Sequence, residues 1–342
     1  MSIVTLPRVT ALGTATAGAW VFWALGLPLP LLLGPMAACL IAALAGVQMQ
    51  DTGRFGTFMR TFLGVAVGSS ITPQTVAHLP DFALSLLFVP LCITAIGAVG
   101  YPLFRYGFGF NHPTSWYAAM PGGLQDMLVF GEEAGGDPRA LSLIHATRVM
   151  VIVTVAPLVM VGFWGIDLTQ PPGRPALEMD PLQIGMMVFA CFAGWKIAER
   201  VGLFGASILG PMILTAALSL SGLIHSRPPA EMIWAAQFFI GIAVGVKYAG
   251  ITWRELRVDV GAGLVYTGLL ALISLAFLQL VYLTGVAPAL DAFLAFLPGG
   301  QAEMVVIAII AGADLAYVVS HHLLRIIIVI LLAPIVARFF KG

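Results

Sequence analysis

Charge is what this chain of 342 residues has least of. Only 9% of its residues are Asp, Glu, Lys or Arg, against about a quarter in a soluble globular domain. That scarcity excludes an ordinary water-soluble fold. The few charges also balance, 16 basic against 16 acidic, for a formal net charge of 0. A nucleic-acid-binding surface needs clustered Lys and Arg, so no nucleic-acid partner is expected. Cysteine is nearly absent: Cys39, Cys92 and Cys191 lie apart in apolar runs, with no CxxC pair. A disulfide framework is excluded. The six histidines include no His-x-x-x-His pair and no Cys/His cluster. A copper or di-iron centre wants three or more converging ligands, so no metal and no cofactor is expected. Neither a phosphate-binding glycine loop nor a Ser/His/Asp arrangement is legible, and no catalytic residue is assigned.

What fills the chain instead is hydrocarbon. Hydrophobic residues make up 60% of it, in apolar segments of roughly 20 residues, enough to cross about 30 Å of lipid as helix. The short alternating strands of a barrel are missing, so the spans are expected to be helices. The fold class expected is an all-α integral membrane protein with the lipid bilayer as its solvent.

One stretch occurs twice. Residues 121–159 and 298–336 align without a gap at an offset of 177. Pro121, Gly122 and Gly123 fall on Pro298, Gly299 and Gly300; Met127 falls on Met304. Asp126 falls on Glu303, Asp137 on Asp314, His145 on His322 and Arg148 on Arg325. The duplication is wider than that. Leu33-Gly34-Pro35-Met36 recurs as Leu209-Gly210-Pro211-Met212, and the glycine run 64–68 recurs at 241–245. The first apolar segment has a counterpart in the second half, so it reads as a retained helix and not a signal peptide. Residues 1–165 form a first membrane repeat, the polar, proline-rich 166–183 a linker, and 184–342 a second repeat.

Helices are expected near 9–27, 30–47, 57–79, 82–104 and 140–163, and again near 184–199, 204–224, 232–251, 258–285 and 315–338. The remaining pieces, 117–135 and 294–312, begin with the PGG turns. If they cross the bilayer, each half has six spans and the halves are parallel. If they enter and return, each half has five and the halves are inverted. Lys and Arg accumulate on the cytoplasmic side of short loops. With five spans per half and the N-terminus inside, Arg8, Arg54, Arg60, Arg105, Lys196, Arg200, Lys247, Arg254, Arg257, Arg338 and Lys341 are cytoplasmic, and only Arg174 and Arg227 are outside. With six, Lys196, Arg200, Lys247, Arg254 and Arg257 all move outside. The expectation is therefore about ten transmembrane helices plus two re-entrant or broken PGG segments. They form an inverted repeat of transporter type, with both termini cytoplasmic. Substrate sits near mid-membrane between the repeats in such folds.

Buried ionic side chains mark the candidate site. Arg148 and Arg325 lie inside apolar runs, where an arginine is costly and should face the protein interior. Each could hold a neighbouring carboxylate or the oxyanion of a substrate, since guanidinium binds planar oxyanions bidentately. His145 and His322 precede them by three residues and share their helix faces. Each histidine could relay a proton or simply bond a backbone carbonyl. Asp126 and Glu303 fall in the first turn after the glycine pair. They could complement a helix dipole or bind a coupling cation or proton. The glycine runs have the spacing of close helix packing.

The duplicated PGG-x-x-[DE]-M element, the following His-x-x-Arg and the paired LGPM segments resemble the membrane AbrB-type family over nearly the whole chain. The resemblance implies a polytopic bacterial inner-membrane protein of transporter character. Family members carry labels of ammonia monooxygenase or of regulator. The leading expectation is a secondary transporter of a small, anionic organic solute coupled to protons or sodium. In it Pro121, Gly122, Gly123, Arg148, Pro298, Gly299, Gly300 and Arg325 bind substrate, and Asp126, His145, Glu303 and His322 carry the coupling ion. The alternatives are a membrane-bound metal monooxygenase and a membrane sensor acting through a partner protein. A homodimer is compatible with any of these.

Overall fold

A computed structural model of the chain describes residues 5–77, 79–203 and 205–339. The chain ends expected in the cytoplasm, with Lys341, lie outside the described residues. Every element among the described residues is helical. In chain order they are α1 (Leu6–Ala24), α2 (Pro30–Leu44), α3 (Arg54–Ser70), α4 (Pro73–Ala77), α5 (Ala83–Pro102), α6 (His112–Ala119), α7 (Leu124–Glu133), α8 (Pro138–Trp164), α9 (Pro181–Arg200), α10 (Ala206–Leu220), α11 (Ala230–Gly245), α12 (Trp253–Glu255), α13 (Gly261–Thr284), α14 (Ala289–Phe296), α15 (Gln301–Ala311) and α16 (Leu315–Phe339). Single π-helical turns extend α5 at Leu103–Gly107 and precede α13 at Leu256–Val260.

A helix occupies each of the ten expected places. Among the described residues six segments are long and apolar enough to cross a membrane: Pro80–Gly107, Pro138–Trp164, Pro181–Arg200, Ala230–Tyr248, Trp253–Thr284 and Leu315–Ala337. Pro30–Leu44, Ala206–Leu220 and Gln301–Ala311 are apolar but shorter. These helices carry large apolar side chains outward, among them Leu87, Leu91, Phe189, Phe192, Leu272 and Leu331. A water-facing surface of that kind would aggregate; it suits lipid.

Two expectations are corrected in detail. The third helix stops at Ser70, not near 79. Pro73 causes this, because a proline disfavours helical backbone in the residue before it. The PGG pieces are also not single helices beginning at the turn. Each is preceded by its own short helix, α6 or α14, so the turn sits between two helices.

The described chain packs into two compact units, and each draws on both halves of the sequence. The first comprises Met1–Leu79, Pro157–Gly250 and Ala302–Ala316. Its helices touch through glycine. A Cβ on Gly18 would collide with the Gly34 carbonyl, and one on Gly34 would stand 2.8 Å from Ala19 Cα. Gly194 and Gly210 repeat that contact between α9 and α10. The glycine runs then pack across the repeats. Gly64 and Gly68 of α3 lie on the backbone at Ile208 and Met212 of α10, while Gly241 and Gly245 of α11 lie on Leu32 and Met36 of α2. The two crossings are the same crossing, with the repeats exchanging roles. Leu29, ahead of α2, adopts a left-handed backbone at φ 49; Gly205 holds the same conformation ahead of α10.

The second unit comprises Pro80–Ala156, Ile251–Gln301 and Tyr317–Gly342. Within it α6 and α7 form a hairpin. Asn111 caps α6, its Oδ1 accepting from Thr114 N at 2.9 Å. Its Nδ2 donates to the Gly135 carbonyl beyond the end of α7 at 3.1 Å. Asp137 N donates to Thr114 Oγ1 at 2.8 Å. The chain leaving α7 is thus tied to the chain entering α6. Eight residues of helix rise only about 12 Å, less than half of a bilayer core.

Candidate functional site

Breaking a helix creates a demand for donors. The last four carbonyls of a helix have no partner within it, and hydrocarbon supplies no water to replace them. Pro121 and Pro298 force such breaks: the ring removes an N–H and excludes helical backbone from the residue before it. Met120 and Leu297 accordingly turn extended, at ψ 129 and ψ 121.

Four carbonyls at each break are met by three side chains. His145 Nε2 donates to the Tyr117 carbonyl at 3.1 Å. Tyr266 donates its hydroxyl to the Ala119 carbonyl. Arg148 donates Nη1 to Met120 O at 3.4 Å and Nη2 to Gly122 O at 3.1 Å. At the second break His322 Nε2 donates to the Leu294 carbonyl at 2.9 Å. Ser274 Oγ donates to Phe296 O at 3.0 Å. Arg325 donates Nη1 to Leu297 O at 3.2 Å and Nη2 to Gly299 O at 3.1 Å. The accepting carbonyls correspond one by one at the offset of 177. Each His-x-x-Arg pair reaches them from one face of its helix, as the spacing requires. A carbonyl can only accept, so both histidines present Nε2–H to it.

The glycines of the first turn are there for space. A Cβ on Gly122 would stand 2.8 Å from Met127 Cε, and one on Gly123 would run into Asp126 Oδ2. Asp126 thus folds its carboxylate back over the start of α7, in the place where an acid complements the helix dipole. Glu303 holds the equivalent position in the first turn of α15, within the first unit. Asp137 and Asp314 also serve helix ends. Asp137 Oδ1 accepts from Arg139 N at 2.9 Å and Ala140 N at 3.1 Å, and Asp314 Oδ1 accepts from Ala316 N at 3.0 Å.

The guanidiniums are buried, Arg148 1% and Arg325 6% exposed, and lie within Coulombic reach of each other. Arg325 has no carboxylate partner among the described residues, and its Nε–H meets no acceptor there. The arrangement can therefore do two things chemically. One edge of each guanidinium holds a turn in place; the positive charge of Arg325 remains to attract an oxyanion. Among the described residues no three of His, Cys, Asp or Glu converge as metal ligands would. Sequence reasoning found the arginines and histidines but missed Tyr266 and Ser274. Their only signal was a hydroxyl inside an apolar helix.

Over residues 31–341 the chain matches the model of a family described as "Transition state regulatory protein AbrB". It is similar to a protein of Escherichia coli (strain K12) named "Putative regulator AbrB", at 28% identity over 334 residues, covering 94% of this chain and 92% of that one. It is also similar to "Uncharacterized protein YhjN" of Bacillus subtilis (strain 168), at 24% identity over 350 residues, covering 94% and 89%.

Proposed function

The chain belongs to the AbrB family, and from that premise and the paired guanidinium clamps we propose a secondary transporter. Its solute is a small organic anion, and its coupling ion is a proton or sodium. The observation that carries the reading is the pair of buried arginines, each anchored to the carbonyls of a PGG turn. Two like charges out of water repel and lose hydration, so a site of this kind favours an arriving anion. Broken helices recurring in both halves are the usual framework of such a site in secondary transporters.

In this reading ten helices cross a bacterial inner membrane, five per repeat, and the repeats lie inverted. Both PGG segments enter and return, and both termini are cytoplasmic. The α6–α7 hairpin supports the re-entrant form for the first segment. The arginines hold the anion while anchored to the PGG carbonyls. Asp126 and Glu303, at the tips of the returning helices, bind the coupling cation. His145 and His322 keep the broken ends in register.

Uptake into proteoliposomes tests the proposal, with labelled succinate, phosphate and an alkyl sulfonate as probes. Accumulation of one of them, driven by an imposed proton or sodium gradient and reduced at least tenfold in Arg148→Lys and Arg325→Lys, is the expected result. Uptake that survives both substitutions would remove the role assigned to the arginines. The name of the Escherichia coli relative, a regulator, favours a second reading, a membrane sensor acting through a partner. A sensor binds its anion without moving it, so binding with no uptake by the same preparation identifies that case.

A further inference from the structure

The second unit buries a polar trio that the repeat does not share. Ser85 of α5 is 0% exposed, and Tyr317 and His321 of α16 are each 1% exposed. His321 Nδ1 lies 2.8 Å from the Tyr317 carbonyl. That oxygen only accepts, so in the neutral ring Nδ1 carries the proton and Nε2 is the acceptor. Ser85 Oγ lies 2.8 Å from Nε2 and donates to it. Ser85 in turn accepts from the Tyr317 hydroxyl, which lies in close contact with it. The groups form one directed chain, from Tyr317 through Ser85 to His321. Phe82 packs edge-on against Tyr317 and Phe296 against His321.

Packing does not demand this trio. At the offset of 177 residues the three positions are Ala262, Ala140 and Ile144. All three are buried to 1% or less. The equivalent crossing is closed by Gly263 against Thr147 Cβ and the Ile144 carbonyl. The fold therefore makes this crossing once with apolar side chains and once with a hydrogen-bonded chain ending in an ionisable ring. Ionisable groups inside a membrane are costly and mark function.

We propose that Ser85, Tyr317 and His321 form a further proton-binding site, which carries a coupling proton beside the cation held at Asp126 and Glu303. The proposal rests on the transport reading and adds a proton to its coupling. A proton arriving at Tyr317 Oη sends the tyrosine's own proton to Ser85 Oγ, and Ser85 passes its proton to His321 Nε2. Both hydrogen bonds reverse, imidazole becomes imidazolium, and one proton is gained with no other bond changed. The reverse sequence releases it. His321 lies one helical turn before Arg325 on the same face of α16. A charge gained on His321 thus adds to the field at the proposed anion site, and a bound anion favours the protonated ring by the same amount. Among the described residues the other ionisable group facing the trio is His322 on α16, within electrostatic reach of His321; Phe296 of α14 packs on His321 and brings no charge. Ser85 and Tyr317 are each the third residue of their helix. In the proposed topology that end faces outward, so the proton enters from outside.

The test is nitrogen NMR of the full chain in lipid nanodiscs with 15N-histidine, each signal assigned by loss in a His→Gln variant. The His321 ring is expected to start as the Nδ1–H tautomer. It should become imidazolium on acidification while the tryptophan fluorescence still reports a folded chain. Ser85→Ala and Tyr317→Phe should each move its midpoint by a pH unit or more, about tenfold in proton affinity, with the His145 and His322 signals unmoved. A His321 that stays neutral until the protein unfolds, or titrates at the same pH in both variants, overturns the proposal. No solute is needed, so that failure leaves the anion reading standing. Absence of anion uptake by a chain whose His321 titrates removes the anion reading alone.

Discussion

At the scale of residues, the site is an accounting of carbonyl groups. A buried carbonyl left without a donor costs about 1–3 kcal/mol, and each PGG break presents four. Tyr266→Phe removes one donor, from the Ala119 carbonyl. The purified protein is expected to lose about 1–3 kcal/mol of stability, read as a lower melting temperature in detergent. Arg325→Met strips donors from both Leu297 O and Gly299 O, so its loss should be the larger of the two. Arg325→Lys should fall between them, because an ammonium lacks the rigid fork that spans two acceptors. If Arg325→Met melts with the wild type, the guanidinium is not what holds the second break. The histidine and arginine positions were legible because spacing by three residues puts them on one helix face. What they hold was not. The donors come from α8, α13 and α16 to carbonyls far away in sequence, and a carbonyl leaves no trace in residue type.

At the scale of elements, two devices shape the helices: small residues where backbones touch and prolines where they break. Gly241→Ala would put a methyl against the Leu32 carbonyl of α2, and the nearest relief is a shift of backbone. Overpacking of that kind typically costs about 1–3 kcal/mol. Gly268 in α13 has nothing within 4 Å of where a Cβ would stand. Gly268→Ala is therefore expected to be neutral or stabilising by up to about 1 kcal/mol. Chemical melts of the two variants side by side check the contrast, and equal effects would contradict the packing described. The glycine runs were correctly read as packing surfaces. The short helices α6 and α14 were missed because eight residues running directly into a PGG turn look like the start of the same span. The cross-links from Asn111 to Gly135 and from Asp137 to Thr114 reveal a chain that turns back.

At the scale of the molecule, the duplication was open to reading from the sequence, since prolines, glycines, acids, histidines and arginines recur at one offset. The two compact units were not, because each is woven from both halves. The inverted topology predicts that cysteines placed at Arg105 and Arg254 both react with an impermeant reagent only from the cytoplasmic side. Labelling from opposite sides would sink that topology. The proposed anion site is tested most directly by ligand-induced stabilisation of the intact chain. The melting temperature is to be followed against carboxylates, phosphates and sulfonates, in wild type and in Arg325→Lys. The account predicts that at least one anion raises the wild-type melting temperature in a saturable way, and that Arg325→Lys needs at least tenfold more of it. No stabilising anion, or one that stabilises both proteins at equal concentration, would contradict it.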